Sequence, residues 1–443
     1  MVLLQVVVVL GAILIGARLG GVGLGVMGGL GLALLTFVFG LNPTSPPIDV
    51  MLMIVAVITA AATMQAAGGM EWLVRMAEML LRKNPSRITF MAPLVTYLFT
   101  LFAGTGHTAY SVLPVIAEVS REAGIRPERP MSIAVIASQQ AITASPISAA
   151  TVALLGLLAA QNPAISLFDI LKVCVPATLV GVMAGALAVF RKGRELNDDP
   201  TYKERLDRGE IEPVAPHTQK PALPASARTS VWIFLAAALA IVLVGSVPAL
   251  RPLVPDLKDP TALVPLGMPY SIEMIMLSAS ALILLLCRVK AEDVVKGSVF
   301  PAGMAAVIAI FGIAWMGDTF IAAHIDSLKG AVEGLVRTQP WVFAIALFVM
   351  SILLYSQAAT IRALAPLCIA LGIPAPFMIA MFPAVNGYFF IPNYPTVVAA
   401  INFDRTGTTG IGRYLMNHSF MLPGLVATVV TISTGFLLAT LLF

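Results

Sequence analysis

Charge is scarce in this chain. Only 27 Lys and Arg and 23 Asp and Glu occur in 443 residues, so charged side chains are 11% of the sequence. Hydrophobic residues make up 58% and the mean hydropathy is +0.92, which excludes the composition of an ordinary soluble globular protein. Cysteine is nearly absent. Cys174, Cys287 and Cys368 stand alone in apolar runs, with no C-x-x-C pair, so no disulfide framework and no thiolate metal site is expected. They read as buried, unreactive thiols. No nucleophile–base pairing and no metal-ligand spacing occurs, so the chain does not read as an enzyme, and no cofactor, metal or nucleic-acid partner is expected.

Apolar runs of about 20 residues, the length that crosses a bilayer, recur from end to end. The first, "VLLQVVVVLGAILIGA", lacks a basic leader and a small-residue cleavage site and reads as a retained span. Full spans are expected near 2–17, 20–40, 49–68, 131–160, 168–190, 229–250, 271–289, 298–317, 376–402 and 414–442. Two further apolar stretches, 88–120 and 340–371, are interrupted by "GTGHT" and "YSQAAT" and read as hairpins that enter the membrane and return.

The basic residues test that layout. With both hairpins non-crossing, Arg18 and the loops 70–87, 121–129, 191–228, 288–296 and 404–413 share one side and carry 21 of the 27 Lys and Arg. The opposite loops carry four, and only Lys172 and Arg362 fall within apolar segments. The positive-inside rule makes the first side cytoplasmic and both termini periplasmic. Segment 191–228, polar and proline-rich, reads as a cytoplasmic linker between two halves, with His217 exposed in it.

Those halves, 1–190 and 229–443, share a pattern. Thr108 precedes Pro114 by six residues and Thr360 precedes Pro366 by six; Gly124-Ile125 and Gly372-Ile373 follow. Each half then enters a helix broken late by polar residues and proline: 131–160 at "SQQAITASPIS" and 376–402 at "NGYFFIPNYPT". The expected fold is an all-α polytopic membrane protein, an inverted repeat of two five-span halves, each with a re-entrant hairpin and a broken helix. Such repeats recur in secondary transporters, with substrate near the midplane.

Non-helical backbone inside a bilayer must be buried in protein or line a cavity, so the four breaks mark a site. Each precedes a half-helix whose N-terminus favours an anion, and two pairs of them suit an anion charged at both ends, such as a dicarboxylate. Thr108, Ser148, Thr360 and Thr396 are read as N-caps or hydroxyl donors there. Arg362 is a charge deep in an apolar stretch, a bidentate partner for a carboxylate or a structural partner of Asp318, Glu118 or backbone carbonyls. His107 reads as a carboxylate donor, a proton relay or a satisfied core histidine. Asn386 and Asn393 present amides to substrate, coordinate a cation alongside exposed carbonyls, or cap the break, and Tyr388 and Tyr394 read as packing or interfacial rings. Thr105, Gly106, Ser145 and Gln357 complete the substrate-binding set. Asp404 is expected in a turn with a surface ion pair beside Arg405, "GGVGLGVMGGLG" as a close helix-packing face, and 318–333 as an interfacial helix.

The motifs "GARLGGVGLGVMGGLGL", "PPIDVMLMI", "AGTGHTAYSVLPVI", "GIRPERPMS", "SQAAT", "GYFFIPNYPT" and "NFDRTGTTGIGRY…NHSF" together resemble the anaerobic four-carbon dicarboxylate transporters of the Dcu type (DcuA/DcuB). The resemblance spans nearly the whole chain. It implies a bacterial inner-membrane carrier exchanging fumarate, malate or aspartate for succinate, within the ion transporter superfamily. It implies a transport domain holding the hairpins that moves against a scaffold in elevator fashion, often in a homodimer, and in some members contact with a sensor kinase. A cation-coupled symporter of another organic anion, and a membrane sensor without transport, are the competing readings.

Overall fold

The computed structural model describes the chain except residues 20–21, 47, 163–164, 212–222, 256–261, 298, 340, 355, 393, 413 and 415, and it leaves out some further side chains, including those of His107 and of 325–338. His217 and Asn393 therefore lie outside the described residues.

Helices α1 (Val2–Leu19) and α2 (Gly23–Ala33) pack on each other, and α2 runs on into a π-helical turn at Leu34–Val38. Helix α3 (Ile48–Ala66) bends by 71° at Gly68, where φ is 83°, into α4 (Gly69–Lys83). The segment read as the loop 70–87 is thus mostly an amphipathic helix. Met70, Ala77 and Leu81 are buried, while Glu71, Met79 and Leu80 are exposed.

Helices α5 (Ile88–Ala103) and α6 (Ala109–Glu122) form a hairpin. Arg82, just before α5, bonds Glu122 and lies 3.9 Å from Glu118, both at the far end of α6. The chain therefore goes out by about 24 Å along α5 and comes back to the level at which it started. Next come α7 (Glu128–Ala144), α8 (Ala149–Gln161) and α9 (Leu167–Val189). A capping box at Ser166 and Asp169 starts α9.

The linker carries structure. Asp199 caps α10 (Pro200–Asp207) by accepting from Thr201 N and Tyr202 N, and Arg126 grips the same carboxylate. Leu196, Tyr202 and Ile211 close a small apolar cluster. Segment 196–211 is therefore a docked element and not a free polar tether.

The second half opens with α11 (Ala225–Ser246), then a two-stranded antiparallel ribbon of β1 (Leu253–Pro255) and β2 (Leu263–Pro265) in register Val254↔Val264. This ribbon is a small exception to the all-helical expectation. After α12 (Met268–Leu286) and the single turn α13 (Ala291–Val294) comes α14 (Val299–Thr338), 40 residues long. The expected span 298–317 and the interfacial helix after it are one continuous helix, with no Gly or Pro signal strong enough to part them. A second hairpin, α15 (Val342–Leu354) and α16 (Gln357–Ala370), is followed by α17 (Ala375–Met381), short 3-10 turns, α18 (Pro395–Phe403) and α19 (Met421–Leu442). The last span begins at 421, because the described residues between 404 and 420 are held in turns.

Among the described residues, six helices are long and apolar enough to cross a membrane, one of them Pro85–Ala103, with the bent α3–α4 pair a seventh candidate. The chain is a multi-pass membrane protein. Its packing is reciprocal between halves: α2 lies on α14 and α12 on α3; α16 lies on α8 and α6 on α18; α9 lies along α19. Small residues permit the closest crossings. A Cβ on Gly28 would sit 2.5 Å from the backbone of Gly312, so the glycine-rich face is the α2–α14 contact.

A candidate substrate site where both hairpin tips meet a buried helix

Helix α7 is the centre of the molecule. All 17 of its residues are buried, charged and polar ones included. At its entrance Arg126 bridges Glu128 (2.7 Å) and Asp199, Lys192 bonds Glu128 (2.9 Å), and Arg129 bonds Glu195 (2.9 Å) and the carbonyls of Lys192 and Gly193. Asp404 works beside it. Its carboxylate is 3% exposed and accepts from Thr406 N, Thr408 Oγ1 and Thr409 N, so it caps a turn and the expected surface ion pair with Arg405 is not its role.

The first hairpin tip closes on the end of α7. Helix α5 stops at Gly104 in the left-handed region (φ 70°), and a Cβ there would lie 3.0 Å from Ile147 O. Gly106 sits over α7, its absent Cβ 3.2 Å from Ile142 Cδ1 and 3.6 Å from Ser138 O. Ser145 Oγ donates to Leu101 O (2.7 Å). Ser148 is the N-cap of α8, accepting from Thr151 N (3.1 Å) and donating to Ile142 O (2.6 Å). One serine thus satisfies an orphan donor of α8 and an orphan acceptor of α7. Thr108 does not cap α6. Its hydroxyl donates to Thr105 O (3.1 Å) and pairs with Thr100 Oγ1 (3.1 Å), tying the tip to the arm that leads into it. Thr105 is half-buried beside these groups.

The second tip and second break reach the same helix from the other half. Ser356, not Thr360, caps α16 by accepting from Ala359 N (3.2 Å); Thr360 donates back to Ser356 O (2.8 Å). Gln357 Nε2 donates to Asn386 Oδ1 (2.8 Å) and to the α7 carbonyl of Gln139 (3.4 Å). Asn386 Nδ2 donates to Pro383 O (3.0 Å) and Gln140 Oε1 (3.3 Å), and Gln140 Nε2 donates to Thr428 on α19 (3.4 Å). This chain of amides runs from tip to break to α7 to α19. Tyr388 is fully buried with its ring 4.6 Å from that of Tyr394, so both are packed rings. Thr396 is 2% exposed and its hydroxyl has no hydrogen-bond partner among the described residues.

Arg362, half-buried in the second turn of α16, faces Asp318 of α14 closely enough for their charges to interact. The helices touch there, since a Cβ on Gly317 would be 3.7 Å from Ala363. A cavity of about 100 Å³ lies beside the first tip, lined by Ala103, Gly104, Thr105, Ile147 and Ala149 and, across from them, by residues of α3 and the start of α14.

A family model for the anaerobic C4-dicarboxylate membrane transporters, DcuA_DcuB, matches residues 1–443. The chain belongs to this family. It is 44% identical over 442 residues to the C4-dicarboxylate transporter DcuA of Wolinella succinogenes, covering 100% of both chains. It is 41% identical over 443 residues to DcuA of Escherichia coli K12 (99% of each) and 39% identical over 445 residues to the anaerobic C4-dicarboxylate transporter DcuB of Escherichia coli O6:H1 (99% and 98%). In fold it is similar to the crystal structure of the Alcanivorax borkumensis YdaH transporter, described as having an unusual topology. That match has a TM-score of 0.57 at 16% identity, over 95% of this chain and 98% of the other.

For this Dcu-family chain, the structure gathers Gly106, Ser145 and Ser148 at the near end of α7 and Gln357 and Asn386 on its flank. Arg362 lies apart, toward α14. The side chain of His107 and all of Asn393 lie outside the described residues. Sequence reasoning passed over Gln139 and Gln140 as site residues, although "SQQAITASPIS" was the segment that marked the break. The signal was there: two adjacent amides in an apolar helix.

Proposed function

We propose that the chain is a secondary transporter that exchanges C4-dicarboxylates across the bacterial inner membrane by alternating access. What carries this reading is that both hairpin tips and both broken helices meet on the end of α7, in a chain that matches the dicarboxylate-transporter family over its full length. Backbone broken in this way at membrane depth requires a protein-lined or water-filled surrounding, and the half-helix N-termini favour the two carboxylates.

The two halves are an inverted repeat, and the reciprocal packing of α2 on α14 and α12 on α3 supports that relation. Both termini are then periplasmic and the linker cytoplasmic, in line with the positive-inside count. The hairpins and broken helices form the moving body, and α3 and α14 across the cavity form the body they move against. Arg362 releases Asp318 to clamp one carboxylate, and the first-turn N–H groups of α8 and α16, with Thr105 and Thr396, hold the rest.

Counterflow in proteoliposomes tests this. Labelled fumarate is expected to enter only vesicles loaded with a C4-dicarboxylate, with citrate ineffective as a counter-substrate. Net uptake into empty vesicles driven by an ion gradient would overturn exchange in favour of symport.

A further inference from the structure

Two neighbouring glutamines on α7 have opposite fates. Gln140 is tied through its amide to Asn386 and Thr428. Gln139 is 1% exposed, yet neither its Nε2 nor its Oε1 has a hydrogen-bond partner among the described residues. A buried amide normally finds partners for both ends, and a group left without one calls for an explanation. The position supplies it. Gln139 lies one turn before Ile142 on the same face of α7, and Ile142 is the residue on which Gly106 of the first tip rests. Its own backbone carbonyl accepts from Gln357 of the second tip. The orphan amide therefore stands on the helix that both tips touch.

We propose that Gln139 is a specificity-determining residue. It favours C4-dicarboxylates that carry a hydrogen-bond donor on the carbon next to a carboxylate over those that carry none; this rests on the C4-dicarboxylate reading above. A carboxylate can accept from Nε2 but leaves Oε1 facing a second acceptor. A 2-ammonium or 2-hydroxyl group beside that carboxylate donates to Oε1, and both ends of the amide are then satisfied at once. A site built to hydrogen-bond a substrate group discriminates strongly against the analogue that lacks it, because its own polar atom is then left unpaired. Gln140 cannot do this, because its amide is already engaged at both ends.

The test is competition in counterflow with aspartate, malate, succinate and fumarate. The wild-type protein is expected to prefer aspartate and malate over succinate and fumarate, and equal handling of all four overturns the proposal without any variant. Gln139→Met, close in size but without the amide, is expected to lower aspartate and malate exchange at least about tenfold more than it lowers fumarate and succinate exchange. A uniform loss for all four substrates, or an unchanged preference, overturns it. Gln139→Glu keeps an acceptor and loses the donor, so its relative preference for aspartate over succinate is expected to rise; a fall overturns the proposal. Failure of wild type to exchange any of the four defeats the transport reading itself, a result distinct from these.

Discussion

At the first break the polar side chains are short and their partners near. Ser145 and Ser148 reach carbonyls of the adjoining arm and of α7, and Thr108 pairs with Thr100 and Thr105 in its own hairpin. At the second break Gln357 and Asn386 reach into the other half of the molecule, to partners 218 and 246 residues away. The difference follows from chemistry. A hydroxyl sits close to its backbone and closes local orphan groups, whereas an amide extends further and carries a donor and an acceptor, so amides can be chained. The first break is self-contained. The second is stitched to α7, and it also has the charge that the first tip lacks, Arg362.

That contrast can be broken or sharpened in steps. Arg362→Ala is expected to have the largest effect, lowering dicarboxylate exchange by about 30-fold or more, the loss of about 2 kcal/mol or more from one charged contact, with normal membrane insertion. Retained uptake with unchanged affinity would remove Arg362 from the site. Asp318→Asn separates the roles further: exchange is expected to persist, and a loss equal to that of Arg362→Ala would make the pair purely structural.

Asn386→Ala comes next. It takes one of two acceptors from Gln357 Nε2 and strands Gln140 Oε1, at about 1–3 kcal/mol for a buried group left unpaired, and thermal unfolding in detergent should show it. Ser148→Ala removes a cap worth about 1 kcal/mol, so a smaller melting shift is expected, with exchange retained. If the Ser148 variant is the less stable of the two, the comparison fails. Thr108→Val is the smallest change. Loss of a local hydroxyl pair costs about 0.5–1.5 kcal/mol and should leave the substrate preference seen in counterflow unaltered.

Much of the candidate site was legible in the chain. Polar residues inside apolar runs placed the tips near 104–108 and 356–360 and the breaks near 145 and 386, because such residues are costly in a bilayer unless protein surrounds them. Ser148 was readable as a cap because capping is local. Of the two roles open to Thr360, it is a hydroxyl donor and not the cap, because Ser356, four residues earlier, is as good a cap and only the helix start distinguishes them. The turn at Asp404 was legible but its surface ion pair was not borne out, because Arg405 stands next to it in sequence while its actual partners are backbone N–H groups and hydroxyls turned toward it by the chain. The docking of 196–211 was not legible either, since the Arg126–Asp199 contact joins residues 73 apart.

By itself the sequence determined the membrane class, the apolar helical runs and the family, because hydropathy and motif spacing are local or additive along the chain. Tertiary structure alone decided which polar groups are satisfied. Gln139 and Gln140 are identical in sequence terms, and only the approach of Asn386 and Thr428 from the other half leaves one amide engaged and the other open. Hydrogen bonding is short-ranged, so that distinction exists only once distant segments are brought within about 3 Å of each other.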